Sequence, residues 1–322
     1  MESSRRLFLQ SSAALAAMSA AAGSSAAQQA AGRDPGLFRT PDPLPPTTPA
    51  SALQAPKVKF GKVEISRVVI GCNPFYGWSH FNRTLDTVMR EWYTPDRVCE
   101  VLHQANRFGI NAYNYLHITR AYADFEQFRA EGGQMHLVVQ GMADPQPVIQ
   151  ALKPLAVYHH GEMTDRAFQA GKMDTVREYC KKLRQGGVMV GVGSHKPEAI
   201  AQVEDEGWDV DFYAGCVYNR TRTPDELRKL LNGHLPLAPG DVYLDTDPPR
   251  MYAVLRRTGK PCFAFKIHAA GRIDTPEALD QAYQLAFASL KPNDCVFVGM
   301  FPRIQDQIRD NAERVHRVLA AL

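Results

Sequence analysis

LAVYHHGEMTD at residues 155–165 and VMVGVGSHKP at 188–197 flank a single long helical segment. Each is a short apolar run rich in β-branched or aromatic residues, and each ends in polar groups: His159, His160 and Glu162 on the first, His195 and Lys196 on the second. Apolar runs of four to eight residues suit strands buried on both faces, and the helical stretch between them is long enough for a parallel crossover. The stretch therefore reads as strand, helix, strand.

The same alternation extends in both directions. Apolar runs occur at Arg67–Phe75, Ile110–His117, Met135–Ala143, Leu155–Met163, Val188–Lys196, Asp209–Asn219, Pro261–Gly271 and Asp294–Phe301. Helical patterns follow them at Pro95–Phe108, Thr119–Ala130, Pro145–Leu152, Thr164–Gln185, Pro197–Glu206, Thr223–Leu231, Thr275–Leu290 and Ile304–Leu322. Thr94-Pro95, Thr164 and Asp274-Thr275-Pro276 carry the residue types that cap the free N–H groups of a first helical turn. Eight strand–helix repeats predict an α/β fold, a (β/α)8 TIM barrel, with a doubly wound open sheet as the structural alternative. Residues 58–65 read as a hairpin that closes the barrel floor. Residues 232–258 read as an insertion holding a strand-turn and a helix.

Three regions are expected. Residues 1–30 hold Ser4-Arg5-Arg6-Leu7-Phe8-Leu9 and an alanine-rich stretch, the pattern of a twin-arginine (Tat) signal peptide, which implies a periplasmic or extracytoplasmic protein. Residues 31–56 are a proline-rich linker, because repeated prolines forbid helix and central strand. Residues 57–322 form the barrel. A net charge of +3 and the lack of any long Lys/Arg run argue against a nucleic-acid partner, and no apolar run is long enough for a membrane span. The six cysteines lie far apart without a CxxC and are read as buried free thiols, with a disulfide between neighbouring strands as the alternative.

In such barrels chemistry sits at the C-terminal strand ends. Those ends offer His160, Glu162, His195, Lys266 and His268 as candidate catalytic groups, and Asn73, Asn114, Tyr115, Gln140, Tyr218 and Asn219 as candidate substrate contacts. Strand alternation places Ala264, Lys266 and His268 inward and Phe263, Phe265 and Ile267 outward. It likewise places Gly191, Gly193 and His195 inward, the glycines leaving space for a ligand. A lysine inside a barrel must be paired, neutralised or functional, because burying a lone charge costs several kcal/mol.

Three segments carry a family resemblance: VKFGKVEISRVVIGCNPF at 58–75, LRQGGVMVGVGSHKPEAI at 183–200, and VFVGMFPRIQDQIRDNAERV at 296–315. They are similar to the floor hairpin and first strand, the fifth strand, and the last strand and helix of the aldo-keto reductase superfamily. The resemblance implies a barrel with an Asp-Tyr-Lys-His tetrad and NADP as hydride donor. Of the tetrad only His160 is matched. Asn114, Thr119 and Gln140 stand at the other positions, and the nicotinamide contacts fall on Gly193-Ser194 and near Gly215.

Three functions follow as expectations. The first is an exported enzyme doing acid–base chemistry of isomerase, epimerase or lyase type on a small polar carbonyl compound or sugar. In it His160 and His195 carry protons, Glu162 acts as base or orients His160, and Lys266 polarises an enolate or forms a Schiff base. A variant places a divalent metal among His160, Glu162, His195 and His268. The second is an NADP-dependent oxidoreductase with Tyr115 or His117 as proton donor. The third is a non-catalytic barrel that binds a small molecule.

Overall fold

The computed structural model describes residues 48–141, 144–237 and 241–322. The twin-arginine segment and the linker up to residue 47 lie outside the described residues. The linker's last part, at Leu53 and Ala55, is buried against the barrel.

Two short strands, β1 (Lys57–Phe60) and β2 (Val63–Ser66), pair antiparallel as the expected hairpin. Eight parallel strands follow: β3 (Val68–Gly71), β4 (Ala112–Leu116), β5 (His136–Gly141), β6 (Ala156–His159), β7 (Met189–Ser194), β8 (Phe212–Cys216), β9 (Cys262–Phe265) and β10 (Cys295–Gly299). They close in the order β10-β3-β4-β5-β6-β7-β8-β9, so every central strand is hydrogen-bonded on both sides. The open-sheet alternative is excluded, and the fold is the (β/α)8 barrel with its floor hairpin.

The helices are α1 (Arg83–Trp92), α2 (Pro95–Arg107), α3 (Thr119–Ala130), α4 (Gln146–Leu152), α5 (Gly161–Gln169), α6 (Met173–Gln185), α7 (Pro197–Asp205), α8 (Pro224–Leu230), α9 (Asp247–Arg257), α10 (Pro276–Ser289) and α11 (Gln307–Ala321). Thr94 and Thr275 cap α2 and α10 as expected, their hydroxyls accepting the N–H groups of Arg97 and Ala278. The helix expected over 164–185 is two helices, because Gly171 takes φ +65° and turns the chain between α5 and α6. Thr164 is no cap: it lies inside α5. The helix packing on β8 is α9, which also packs on α7 and α10, whereas α8 is a short extra turn above the barrel. The insertion expected at 232–258 thus contains the true ring helix.

The barrel interior is aromatic. Phe60 from the hairpin stands edge-on to Phe212 and Phe263 at 5.3 and 5.1 Å, and Phe263 stacks on Phe297 at 4.6 Å. Small residues on the same layer make room. A Cβ on Gly191 would sit 2.5 Å from the Phe212 ring, and one on Gly193 would sit 2.8 Å from Tyr158. The two glycines therefore face inward, as the alternation predicts, but their space is taken by neighbouring rings and not by a ligand.

The alternation on β9 is opposite to the expected one. Phe263 fills the barrel interior, Ala264 packs on the helix side and Phe265 faces the mouth. The space beside Gly191 and Gly193 is taken by the rings of Phe212 and Tyr158, and Phe263 of β9 packs into the same interior against Phe60, Phe212 and Phe297. Lys266 reaches the mouth by another device. Its backbone turns left-handed just past the strand end, at φ +61°.

Candidate active site at the barrel mouth

A cavity of about 780 Å³ opens at the C-terminal ends of the strands. All five candidate catalytic residues line it: His160, Glu162, His195, Lys266 and His268. So do Asn73, Asn114 and Gln140. Three candidate contacts do not. Tyr115 points into the helix layer, its hydroxyl 3.3 Å from His117 Nδ1 and its ring edge-on to Tyr113. Tyr218 packs on Tyr243 with centroids 5.1 Å apart, and the Asn219 backbone N–H is held by Asp247.

His195 follows the end of β7 and lies against the first turns of α5. Its Nδ1 is 2.6 Å from Asp165 Oδ2, and Asp165 is wholly buried. The same carboxylate accepts the Ser194 hydroxyl at 2.5 Å, the His195 backbone N–H at 3.1 Å and the Thr221 hydroxyl at 3.0 Å. Burial alone would raise the Asp165 pKa, but the hydrogen bonds from His195 and Ser194 outweigh it and hold the carboxyl below its ordinary value. An ionised carboxylate only accepts, so Nδ1 must be the protonated nitrogen of His195. Burial, reinforced by the charges of Arg220 and Lys266, lowers the pKa of His195 against the pull of Asp165. The ring is therefore neutral, oriented, and left with a basic Nε2.

Sequence reasoning offered Glu162 as a base or as the orienter of His160, and missed Asp165 beside His195. The two carboxylates sit on one face of α5, three residues apart. Glu162 is half-exposed and pairs with Arg166 at 2.5 Å, so it orients neither histidine. Gly161 completes the arrangement, because a Cβ there would lie 3.2 Å from His195 Cε1 and 3.3 Å from Nδ1. Gly161→Ala is expected to push the ring off Asp165. The far-downfield Nδ1–H proton resonance should weaken or vanish, while the unfolding free energy changes by less than about 1 kcal/mol, since alanine favours the helix.

Lys266 lies in the cavity wall with no hydrogen-bond or ion-pair partner among the described residues. Burial is the main cause that holds its amine down to about 8. Cys216 would oppose this as a thiolate, but burial pushes that thiol up to about 12, so at neutral pH it carries no charge. Arg220 and Arg272 add to the lowering, and Asp241 opposes it. About a tenth of such an amine is unprotonated at pH 7, against fewer than about one in a thousand for an ordinary lysine.

Arg220, also missed by sequence reasoning, lines the cavity and donates Nε to Asp241 at 2.5 Å. Asp241 faces His80 at 3.7 Å, and the other nitrogen of His80 lies 3.2 Å from Asn73 Nδ2. His80, Lys266, Ala269 and Ala270 are non-glycine residues with φ between +48° and +61°, and all belong to loops at the mouth. Each such residue costs about 1–3 kcal/mol and persists only where surrounding contacts impose it.

The remaining groups form walls. Asn114 donates to the Tyr158 hydroxyl at 3.0 Å and accepts from Gln140 at 2.9 Å, making a polar floor. His268 packs edge-on against Tyr283 at 5.0 Å with Nε2 buried and unpartnered, and His160 has Nδ1 in the same condition. Among the described residues no three His, Cys, Asp or Glu side chains are placed to share a metal ion, so His160, Glu162, His195 and His268 do not assemble the expected ligand set. The six cysteines are buried and free.

Burial holds His80, His159, His160 and His268 each down to about 4. The folded chain keeps them neutral where the unfolded chain, with pKa near 6.5, binds protons. Their contribution to stability is therefore full above about pH 7. It falls as pH drops from about 6.5 towards 4, by at most about 1.4 kcal/mol per histidine per unit. Urea midpoints at pH 7.5, 5.5 and 4.5 should decline steeply in that order, and equal midpoints would contradict these burials.

No protein-family model matches the chain, and no curated protein sequence is significantly similar to it. Solved structures do match. A truncated 3-deoxy-D-arabino-heptulosonate 7-phosphate synthase from Thermotoga maritima aligns over 83% of this chain and 92% of its own, with TM-score 0.50 and 12% identity. A phospho-2-dehydro-3-deoxyheptonate aldolase (DAHP synthase) from Thermotoga maritima aligns over 83% and 74%, with TM-score 0.51 and 9% identity. At these identities the likeness is one of fold. The chain is an α/β barrel with a cavity at its mouth.

The resemblance to aldo-keto reductases is corrected by these findings. The two matched structures named above are DAHP synthases, and no family model or curated relative supports the assignment. The geometry agrees. Asn114 and Gln140 bond to each other, Thr119 opens α3, and Tyr158, the only tyrosine lining the cavity among the described residues, has its hydroxyl engaged by Asn114. Tyr115 and His117, the expected alternative donors for an NADP-dependent reaction, do not line the cavity. The three quoted segments mark floor, strand and helix packing shared by many barrels, not a cofactor site.

Proposed function

We propose that this chain is a lyase-type barrel enzyme in which Lys266 condenses with the carbonyl of a small polar substrate and His195 moves the protons. The observation that carries the reading is Lys266: an amine with depressed basicity, without a carboxylate partner, in the same cavity as a histidine whose tautomer is fixed by Asp165. A lysine made neutral by desolvation is a nucleophile near physiological pH.

The neutral amine adds to the carbonyl carbon, a C–N bond forms, and the resulting hydroxyl takes up one proton from solvent and leaves as water to give a protonated imine. That cation withdraws electrons from the neighbouring carbon. His195 Nε2 then removes a proton, either from that carbon or from a hydroxyl one carbon further along, the second route breaking the intervening C–C bond. General base catalysis of this kind contributes about 10²–10⁴ in rate. The matched aldolase-type barrels are compatible with a lyase, and the twin-arginine pattern at Arg5-Arg6 supports action outside the cytoplasm.

The test is reductive trapping. Sodium borohydride added with pyruvate, dihydroxyacetone or glyceraldehyde should leave one covalent adduct per chain, mapped to the peptide bearing Lys266. No adduct with any carbonyl compound, or adducts spread over surface lysines, would overturn the reading.

A further inference from the structure

Among the described residues, Arg220 and Lys266 are the two arginine or lysine side chains lining the cavity. Their surroundings differ. Lys266 is unpaired, whereas Arg220 is fixed by Nε to Asp241, and both of its terminal nitrogens lack a protein partner among the described residues. A guanidinium anchored through Nε presents its Nη edge as a rigid fork, the geometry that receives a carboxylate through two parallel N–H···O bonds. Arg220 lies close enough to His80, His160, His195 and Lys266 for its charge to act on all four, so the fork opens among the reactive groups and not at the rim. Asp241 already offsets part of its charge. The fork therefore balances one negative charge better than two.

The far lobe of the cavity, between the loops after β9 and β10, has the opposite character. Its polar lining is Asp274, Gln305, Gln307, Asp310 and Asn311, with no lysine or arginine. Asp310 is paired with Arg314 at 3.1 Å from behind the lining, so Asp274 is the lobe's carboxylate without a cation among the described residues; it and the amides accept hydroxyl groups and disfavour phosphate.

We propose that the substrate is a 2-oxo acid with an uncharged hydroxylated tail: its carboxylate on the Arg220 fork, its 2-carbonyl at Lys266, its tail in the amide- and acid-lined lobe. The proposal rests on the reading of Lys266 as the imine-forming residue. With a hydroxyl on carbon 4, the reaction balances as follows. The free Lys266 amine and one proton from solvent convert the carbonyl into the iminium at carbon 2 and water, and that proton returns to solvent when the iminium is finally hydrolysed. His195 takes the 4-hydroxyl proton, the C3–C4 bond breaks, and its electron pair becomes the enamine double bond. An aldehyde leaves from carbon 4 onward. Carbon 3 of the enamine recovers the proton from His195, and water hydrolyses the iminium to release the shorter 2-oxo acid and free Lys266.

The experiment has two arms. In the first, the full chain is trapped with borohydride in the presence of pyruvate, dihydroxyacetone or dihydroxyacetone phosphate, each at the same concentration. Pyruvate should be trapped at least tenfold faster than the other two. Arg220→Gln should lose that preference, and Arg220→Lys should keep part of it, because the charge stays while the fork is lost. Equal trapping of pyruvate and dihydroxyacetone by the unsubstituted chain overturns the proposal and leaves the Lys266 reading standing. Preferred trapping of dihydroxyacetone phosphate overturns it in favour of a phosphate ligand.

The second arm measures oxalate binding to Lys266→Gln by calorimetry, where no imine can form. Binding that weakens at least tenfold on adding Arg220→Gln supports the carboxylate site even if nothing is ever trapped. Oxalate binding that ignores Arg220, or none, removes it.

Discussion

Lys266→Met should lose the borohydride-trapped adduct completely, and with it at least about 10⁴ of any carbonyl-cleaving activity. The substitution keeps the length and volume of the side chain, so the wall stays filled and the fold should hold or gain stability, since an unpaired buried amine is replaced by an apolar chain. Lys266→Arg should be equally inactive, because a guanidinium stays protonated at every accessible pH and cannot attack a carbonyl. The pH dependence follows from the same group. The reactive form is the free amine and its pKa lies near 8, so trapping should rise about tenfold per unit below pH 8 and level off above it. His195 adds no limb near pH 8, because burial holds its pKa below the ordinary histidine value. An active Lys266→Met enzyme, or a flat profile between pH 6 and 8, contradicts the assignment.

Asp165→Asn should cost about 10²–10⁴ in turnover with little change in trapping, which separates it from the lysine substitutions. The asparagine fits the same space, but its amide can present an N–H towards Nδ1. The imidazole then takes the other tautomer, with the proton on Nε2, and loses its base. Four donors converge on the carboxylate, so stability should also fall, by about 1–3 kcal/mol for donors left unpaired. The check is a pair of measurements on one preparation: the rate of imine trapping, which depends on Lys266, and the rate of C–C cleavage or hydrogen exchange next to the carbonyl, which depends on His195. Equal losses in both would mean that Asp165 supports the fold and not the proton transfer.

The barrel itself was open to sequence reading, because eight apolar runs of strand length separated by capped helices leave few other arrangements. His195, Lys266 and His160 were legible as strand-end groups for the same reason. What strand alternation could not supply is the register at β9. There Phe263 packs into the aromatic interior against Phe60 and Phe297, and a left-handed backbone at Lys266 restores to the mouth a side chain that regular alternation would have turned away. Asp165 escaped notice because Glu162, three residues earlier on the same helix face, is the more obvious carboxylate. Only burial distinguishes them: Asp165 is enclosed and surrounded by donors, and Glu162 is solvated and tied to Arg166. Arg220 follows the β8 strand end by four residues, on a loop whose course is set by its ion pair with Asp241, and no local spacing announces such a pair. The misassigned family shows the complementary error. Floor hairpin, glycine-containing strand and closing helix reflect how barrels pack, and they carry no information about what the mouth binds.

The central claim is that the Lys266 amine is neutral enough near physiological pH to act as a nucleophile. Its titration can be followed directly by 13C NMR of reductively methylated lysines, with the Lys266 resonance assigned by its loss in Lys266→Met. A midpoint near 8, clearly below those of the other lysines, is the predicted result; a midpoint above 10, together with theirs, would contradict the account.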